Sequence, residues 1–174
     1  MKLGIFRCVA MVTLLAGSVA FGSAQSSSPQ ESGKPPSVKQ LEQQFFAGLR
    51  EGDANKVLSY IPKSGVNVGS QAEHVERADV EQQFHAKRGL YCKLFDSSCI
   101  DAKIDLGNSA RPCSDRELLT GSQKVRLASS EVTRSGVQQA VLVAEIKSDR
   151  CSNAGLIDFI FNLDADGWKL FSIP

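Results

Sequence analysis

From Lys124 to Ile173 the chain reads as an almost unbroken succession of strands, and that closing stretch limits what the whole can become. "KVRLASSEV" alternates apolar and polar residues, "VQQAVLVAEIKS" is long and β-branched, and "GLIDFIFNLDADGWKLFSI" holds two runs joined by a turn at Asp166-Gly167. Alternation at period two sends successive side chains to opposite faces, and the connections are of hairpin length, so these segments predict an antiparallel sheet. A sheet with one apolar face must be covered, and the residues ahead of it supply the cover.

Ser37 with Gln40 forms an S-x-x-Q capping box after two prolines, and Val38, Leu41, Phe45 and Leu49 then recur at helical spacing, with Phe46 widening the stripe and Gly52 as the left-handed stop. Asp53 caps a shorter helix built on Val57, Leu58 and Ile61 and ended by Pro62. "GVNVG" predicts a brief edge strand, and a third helix is expected from Asp79, with Gln82 in the box position and Gly89 as its stop. "GLYCKLF" and "AKIDL" read as short strands, and "SDREL" from Ser114 as a capped turn of helix. Helices first and strands later predict an α+β domain, its N-terminal helices packed on one face of a curved, mostly antiparallel sheet.

The chain opens with Lys2 and Arg7, an apolar run from Cys8 to Phe21, and the small residues Gly22, Ser23 and Ala24. That order is a secretory signal, expected to be cleaved after Ala24, and the run is shorter than the ~20 residues that span a bilayer. Residues 1–24 are therefore read as a signal peptide, residues 25–37 ("QSSSPQESGKPPS") as a disordered Ser/Pro-rich leader, and residues 38–174 as one domain. The expected destination is the periplasm or the extracellular space. Without Lys2 and Arg7 the 20 basic residues fall to 18 against 19 acidic ones, a balance that argues against nucleic acid and against a polybasic membrane surface. No later stretch is long enough for a membrane span.

Cleavage also removes Cys8 and leaves Cys92, Cys99, Cys113 and Cys151, an even number in an exported chain. Their spacings of 7, 14 and 38 positions contain no C-x-x-C pair, so two disulfides are preferred over a zinc or redox site. Four cysteines allow three connectivities; the expected one is Cys92 with Cys99 and Cys113 with Cys151, a local loop and a tie from a loop to the sheet.

The opening "LEQQFFAGLREGDANKVLSYIP", with its helix ending at "EGDA", and the closing "GWKLFSIP" resemble the NTF2-like (SnoaL-like, cystatin-like cone) superfamily, over Val38 to Pro174. The resemblance implies a sheet curled around a long helix, a pocket at the open end of the cone, and a homodimer formed through the outer sheet face. It leaves the activity open, because members include isomerases, dehydratases, ring-hydroxylase subunits, transport factors and binding modules.

In the enzymes of that superfamily an Asp or an Asp/His pair acts as base, and a buried acid or a Tyr stabilises an oxyanion. The candidates are Asp158, which interrupts "LIDFIF", His85 on the third helix, and Tyr91. Asp158 shares a strand face with Ile160 and Asn162, opposite Ile157, Phe159, Phe161 and Leu163, and parity does not say which face meets the helices. A solvated acid and a surface histidine are the plainer readings, and no catalytic motif aligns. Trp168 is a candidate floor for a ligand pocket or a core residue of the last strand. His74 and His85 are 11 positions apart with no HExxH pattern, and "NLDADG" from Asn162 has Ile173 where a calcium loop needs Glu, so no metal is expected. Nucleotide and hydrolase glycine motifs are absent from the sequence, and no cofactor is expected. The reading is an exported module that binds a small molecule or a protein; the alternatives are a cofactor-free lyase or isomerase using Asp158 or His85, and an accessory protein whose pocket is filled by side chains.

Overall fold

The structure is a computed structural model and describes residues 35–100 and 111–174; the signal segment, most of the leader, Cys8 and "AKIDL" lie outside the described residues. In chain order these residues form α1 (Val38–Glu51), α2 (Ala54–Tyr60), β1 (Val66–Val68), β2 (Glu73–Val75), α3 (Arg77–His85), α4 (Leu90–Phe95), α5 (Asp115–Gly121), β3 (Lys124–Arg134), β4 (Val137–Lys147), β5 (Leu156–Asp164) and β6 (Gly167–Ile173). The strands make one open, mixed sheet in the order β2-β1-β6-β5-β4-β3. Every pairing is antiparallel except β1 with β6. This is the expected α+β layout.

Local chemistry accounts for the first two helices. Ser37 and Gln40 form the reciprocal capping box of α1, Gly52 ends it at φ 73°, and Asp53 accepts from the Lys56 N–H at 2.9 Å to start α2. At the far end of the chain, β3 and β4 pair from Lys124↔Lys147 to Arg134↔Val137 around Ser135-Gly136. Both of those loop residues have positive φ, the requirement of a tight hairpin turn that follows strand twist.

Three sequence expectations are corrected. β1, the "GVNVG" strand, is not an edge, because the turn at Gly69–Ala72 folds β2 back onto it and β6 takes its other side. α3 begins at Arg77 with no side-chain cap from Glu76, and it ends at Ala86 and not at Gly89, because Lys87 adopts the left-handed conformation at φ 49°. "GLYCKLF" is a helix: the Leu90 N–H is taken by Gln83 Oε1 at 2.7 Å, and Leu90, Cys92, Leu94 and Phe95 are its buried side.

The core lies between α1 and one sheet face. Phe45 meets Phe159 and Phe161 edge-on at 4.9 and 5.0 Å between ring centroids, Phe46 meets Phe159 at 6.0 Å, and Tyr60 meets Phe161 at 5.7 Å. Each buried ring contributes roughly 1.5–3 kcal/mol by leaving water. Parity is thereby settled: Ile157, Phe159 and Phe161 face the helices, so Asp158, Ile160 and Asn162 face outward.

Two disulfides join Cys92 to Cys99 and Cys113 to Cys151, the expected connectivity. The first closes a 7-residue separation from α4 to the turn Ser97–Cys99. The second ties the approach to α5 onto the β4–β5 connection, where Asn153 reinforces it by accepting from the Cys113 N–H and donating to the Cys113 carbonyl, both at 2.9 Å. Two disulfides are consistent with export; no helix among the described residues is long and apolar enough to cross a membrane.

Candidate functional site

The proposed catalytic and pocket residues are not gathered in one place. Asp158 is half-buried on the outer face of β5, opposite Val143, and does not face the helix-lined interior in which a base was expected. His85 is exposed at the last turn of α3. Trp168 is buried on the core side of β6, and its indole Nε1 donates to the Pro36 carbonyl at 2.8 Å. Pro36 belongs to the stretch expected as a disordered leader, so ordered contacts begin ahead of α1.

Tyr91 is half-buried and packs its ring against Phe84 and Phe95 at 6.1 and 5.3 Å. It lines a surface groove between α4 and α5 with Phe95, Asp96, Arg116, Glu117 and Thr120. Beside this groove Glu117 accepts from Arg111 Nη2 at 3.0 Å and from the Ser114 N–H and hydroxyl at 2.9 and 3.2 Å. Burial alone would raise the Glu117 carboxyl; hydrogen bonds from Ser97, Ser114 and Arg111 together outweigh it and hold the group at about 2.

Sequence reasoning missed two buried carboxyls. Asp115, at the start of α5, is 2% exposed and its Oδ2 has no hydrogen-bond partner. Burial pushes it up to about 6, opposed by the Lys93 ammonium. Glu42 is also 2% exposed and lies on the same face of α1 as Phe45 and Phe46. Burial would raise its carboxyl, but hydrogen bonds from Lys39 and Ser129 and the Lys39 charge lower it. Its Oε2 has no partner of hydrogen-bond geometry, although the Ser129 hydroxyl is near enough to favour the charged form. The available signals were the acid in a capped first turn and the acid inside an apolar helical stripe.

The outer sheet face is apolar along its middle. Ser130, Val141 and Ile160 lie in one row across β3, β4 and β5, and Phe171 stands at the β6 bulge beside it. Ala128, Val143 and Asp158 form the row on one side, and Val132, Gln139, Asn162 and Lys169 the row on the other. Val132, Val137, Leu156 and Phe171 remain 40–68% exposed on this face, the large apolar side chains left in water among the described residues. Charged residues flank this middle, Arg126 with Glu145 at 3.4 Å on one side and Arg134 and Lys169 on the other, and an apolar centre with a charged rim suits association. No protein-family model and no curated protein matches the chain.

Proposed function

We propose that this chain is an exported interaction module of NTF2-like architecture that works through the outer face of its sheet, where it pairs with a second copy. The observation that carries the reading is the set of Val132, Val137, Leu156 and Phe171, exposed around half-buried Val141, Val143 and Ile160 on the same face. An apolar face of this kind is stabilised by a partner, and a specific association needs roughly 800 Å² from each side. The NTF2-like architecture is supported by the helix-first, strand-last layout and by α1 packed across the sheet. A protein partner is favoured over a small molecule in the interior because the rings of Phe45, Phe46, Phe159 and Phe161 fill the space between α1 and the sheet.

Sedimentation equilibrium of the disulfide-bonded protein tests the proposal. A dimer that Phe171→Asp with Leu156→Ser converts to a folded monomer is the expected result. A wild-type monomer, or a dimer indifferent to both substitutions, would overturn it.

A further inference from the structure

The two disulfides differ in exposure. Cys113 and Cys151 are 5% and 8% exposed, so both ends of that bond are shielded. In the other bond Cys92 is 2% exposed on the buried side of α4, whereas Cys99 stands exposed at the end of the turn Ser97–Cys99. Thiol–disulfide exchange begins with attack by a thiolate on one sulfur of the bond, and access decides which sulfur is attacked. Of the four paired cysteines, Cys99 is the one open to solvent.

The turn that carries Cys99 is held by contacts that do not run through sulfur. Ser97 is buried, and its hydroxyl accepts from Arg111 Nη1 while Arg111 Nη2 donates to Glu117 at 3.0 Å. Asp96 Oδ1 accepts from the Ser98 N–H at 2.9 Å, and the Asp96 N–H donates to the Cys92 carbonyl at 3.1 Å. The Ile100 N–H donates to the Ser97 carbonyl at 3.1 Å. Opening the bond leaves these contacts in place and keeps Cys99 close to α4.

Each sulfur of this bond also has a backbone acceptor beside it. Cys92 Sγ lies 3.4 Å from the Lys87 carbonyl oxygen, and Cys99 Sγ lies 3.3 Å from that of Asp96. A thiol at either position donates there, so reduction creates no unpaired S–H in the buried half of the bond. The bond closes 7 residues against 38 for the other, so on chain entropy it is also the one whose opening costs the fold less.

We propose that Cys92–Cys99 is a reversible exchange site for small soluble thiols, with Cys99 as the sulfur attacked and modified and Cys92 as the resolving thiol, while Cys113–Cys151 serves the fold alone. The thiolate of the small thiol attacks Cys99 Sγ. A new S–S bond forms to Cys99, the Cys92–Cys99 bond breaks, and Cys92 leaves as a thiolate that takes a proton from water. One disulfide replaces another, so this step needs no further oxidant or reductant. In the return step Cys92, deprotonated again, attacks Cys99 Sγ and the small thiol departs.

The test is incubation of the disulfide-bonded protein with millimolar reduced glutathione in the absence of denaturant, sampled at early times by acid quench, alkylation and peptide mass mapping. Glutathione on Cys99, an alkylated Cys92 and an intact Cys113–Cys151 bond are expected, with the exposed bond opening about tenfold faster than the shielded one, or more. Withdrawal of the glutathione should return the mass to that of the starting protein. Cys92→Ser, loaded with glutathione disulfide, should keep its adduct on Cys99 after the same withdrawal, because it has no resolving thiol. Should that variant fail to fold, the wild-type map decides. Glutathione mapped to Cys92, equal rates of opening for the two bonds, or no reaction until denaturant is added would overturn the proposal.

Discussion

Trp168 and Pro36, 132 positions apart, are joined by a 2.8 Å hydrogen bond from the indole N–H to the proline carbonyl. The bond clips the segment entering α1 to the last strand of the sheet. Trp168→Phe keeps an aromatic ring in place and leaves the carbonyl unpaired, so the expected cost is about 1 kcal/mol. Trp168→Ala adds a cavity and should cost about 3–5 kcal/mol. Urea unfolding of the two variants checks the ranking, which a larger loss for Phe than for Ala would contradict.

The two disulfides close separations of 7 and 38 residues, and on the chain-entropy account they stabilise by about 2–3 and about 4 kcal/mol. Cys113→Ala with Cys151→Ala should therefore lower the denaturation midpoint more than Cys92→Ala with Cys99→Ala. Asn153 adds to that difference by clamping both backbone groups of Cys113. Equal midpoints for the two double variants would refute the assignment.

Asp115 and Glu117 give stability two opposing dependences on pH. The Asp115 carboxyl, with a value near 3.8 unfolded and about 6 folded, makes the native state hold more protons between those limits. Stability then falls as pH rises through that window, by up to about 3 kcal/mol at 1.36 kcal/mol per unit. Glu117, held at about 2, contributes in the opposite sense: its stabilisation is present above about 4.5 and is lost as pH falls toward 2. Unfolding measured at intervals across this range should show a maximum at about pH 4, where the two windows overlap and their slopes cancel. Asp115→Asn should flatten the upper slope, and an unchanged slope in that variant would show that another group carries it.

Gly65 and Gly136 both have positive φ, 93° and 79°, but only Gly65 is crowded. A Cβ at Gly65 would overlap the Val75 carbonyl oxygen, whereas one at Gly136 meets nothing within 4 Å. Gly136→Ala should cost about 1–2 kcal/mol from backbone conformation alone. Gly65→Ala should cost more, because the β1–β2 hairpin must also shift. Thermal unfolding of the pair separates the two terms, and equal losses would mean that the hairpin yields freely.

What lies within one or two turns of chain was legible in the sequence. The Ser37–Gln40 box, the Gly52 stop, the Asp53 cap and the Ser114 cap each depend on groups three or four residues apart, and the structure contains all of them. The alternation of β3 to β6 and the hairpin spacing likewise specified four antiparallel strands in sequence order. α4 was misread because Leu90 to Phe95 is apolar almost throughout, and a short apolar run fits either period until Gln83 supplies the N–H partner that starts the helix.

The sequence by itself determined the element types over most of the chain, the cysteines that pair, and the α+β class, since periodicity, caps and hairpin lengths are local quantities. Only the tertiary structure decided which face of β5 meets α1, and with it the outward placement of Asp158; that choice is made by Phe45 against Phe159 and Phe161, more than a hundred residues away. It also decided that β1 lies inside the sheet beside β6, that Asp115 is buried without a full set of partners, and that Phe171 and Leu156 stay in water. Burial and strand pairing between distant segments depend on the competition of all apolar surfaces for the same core, and a single stretch of sequence carries no record of that competition.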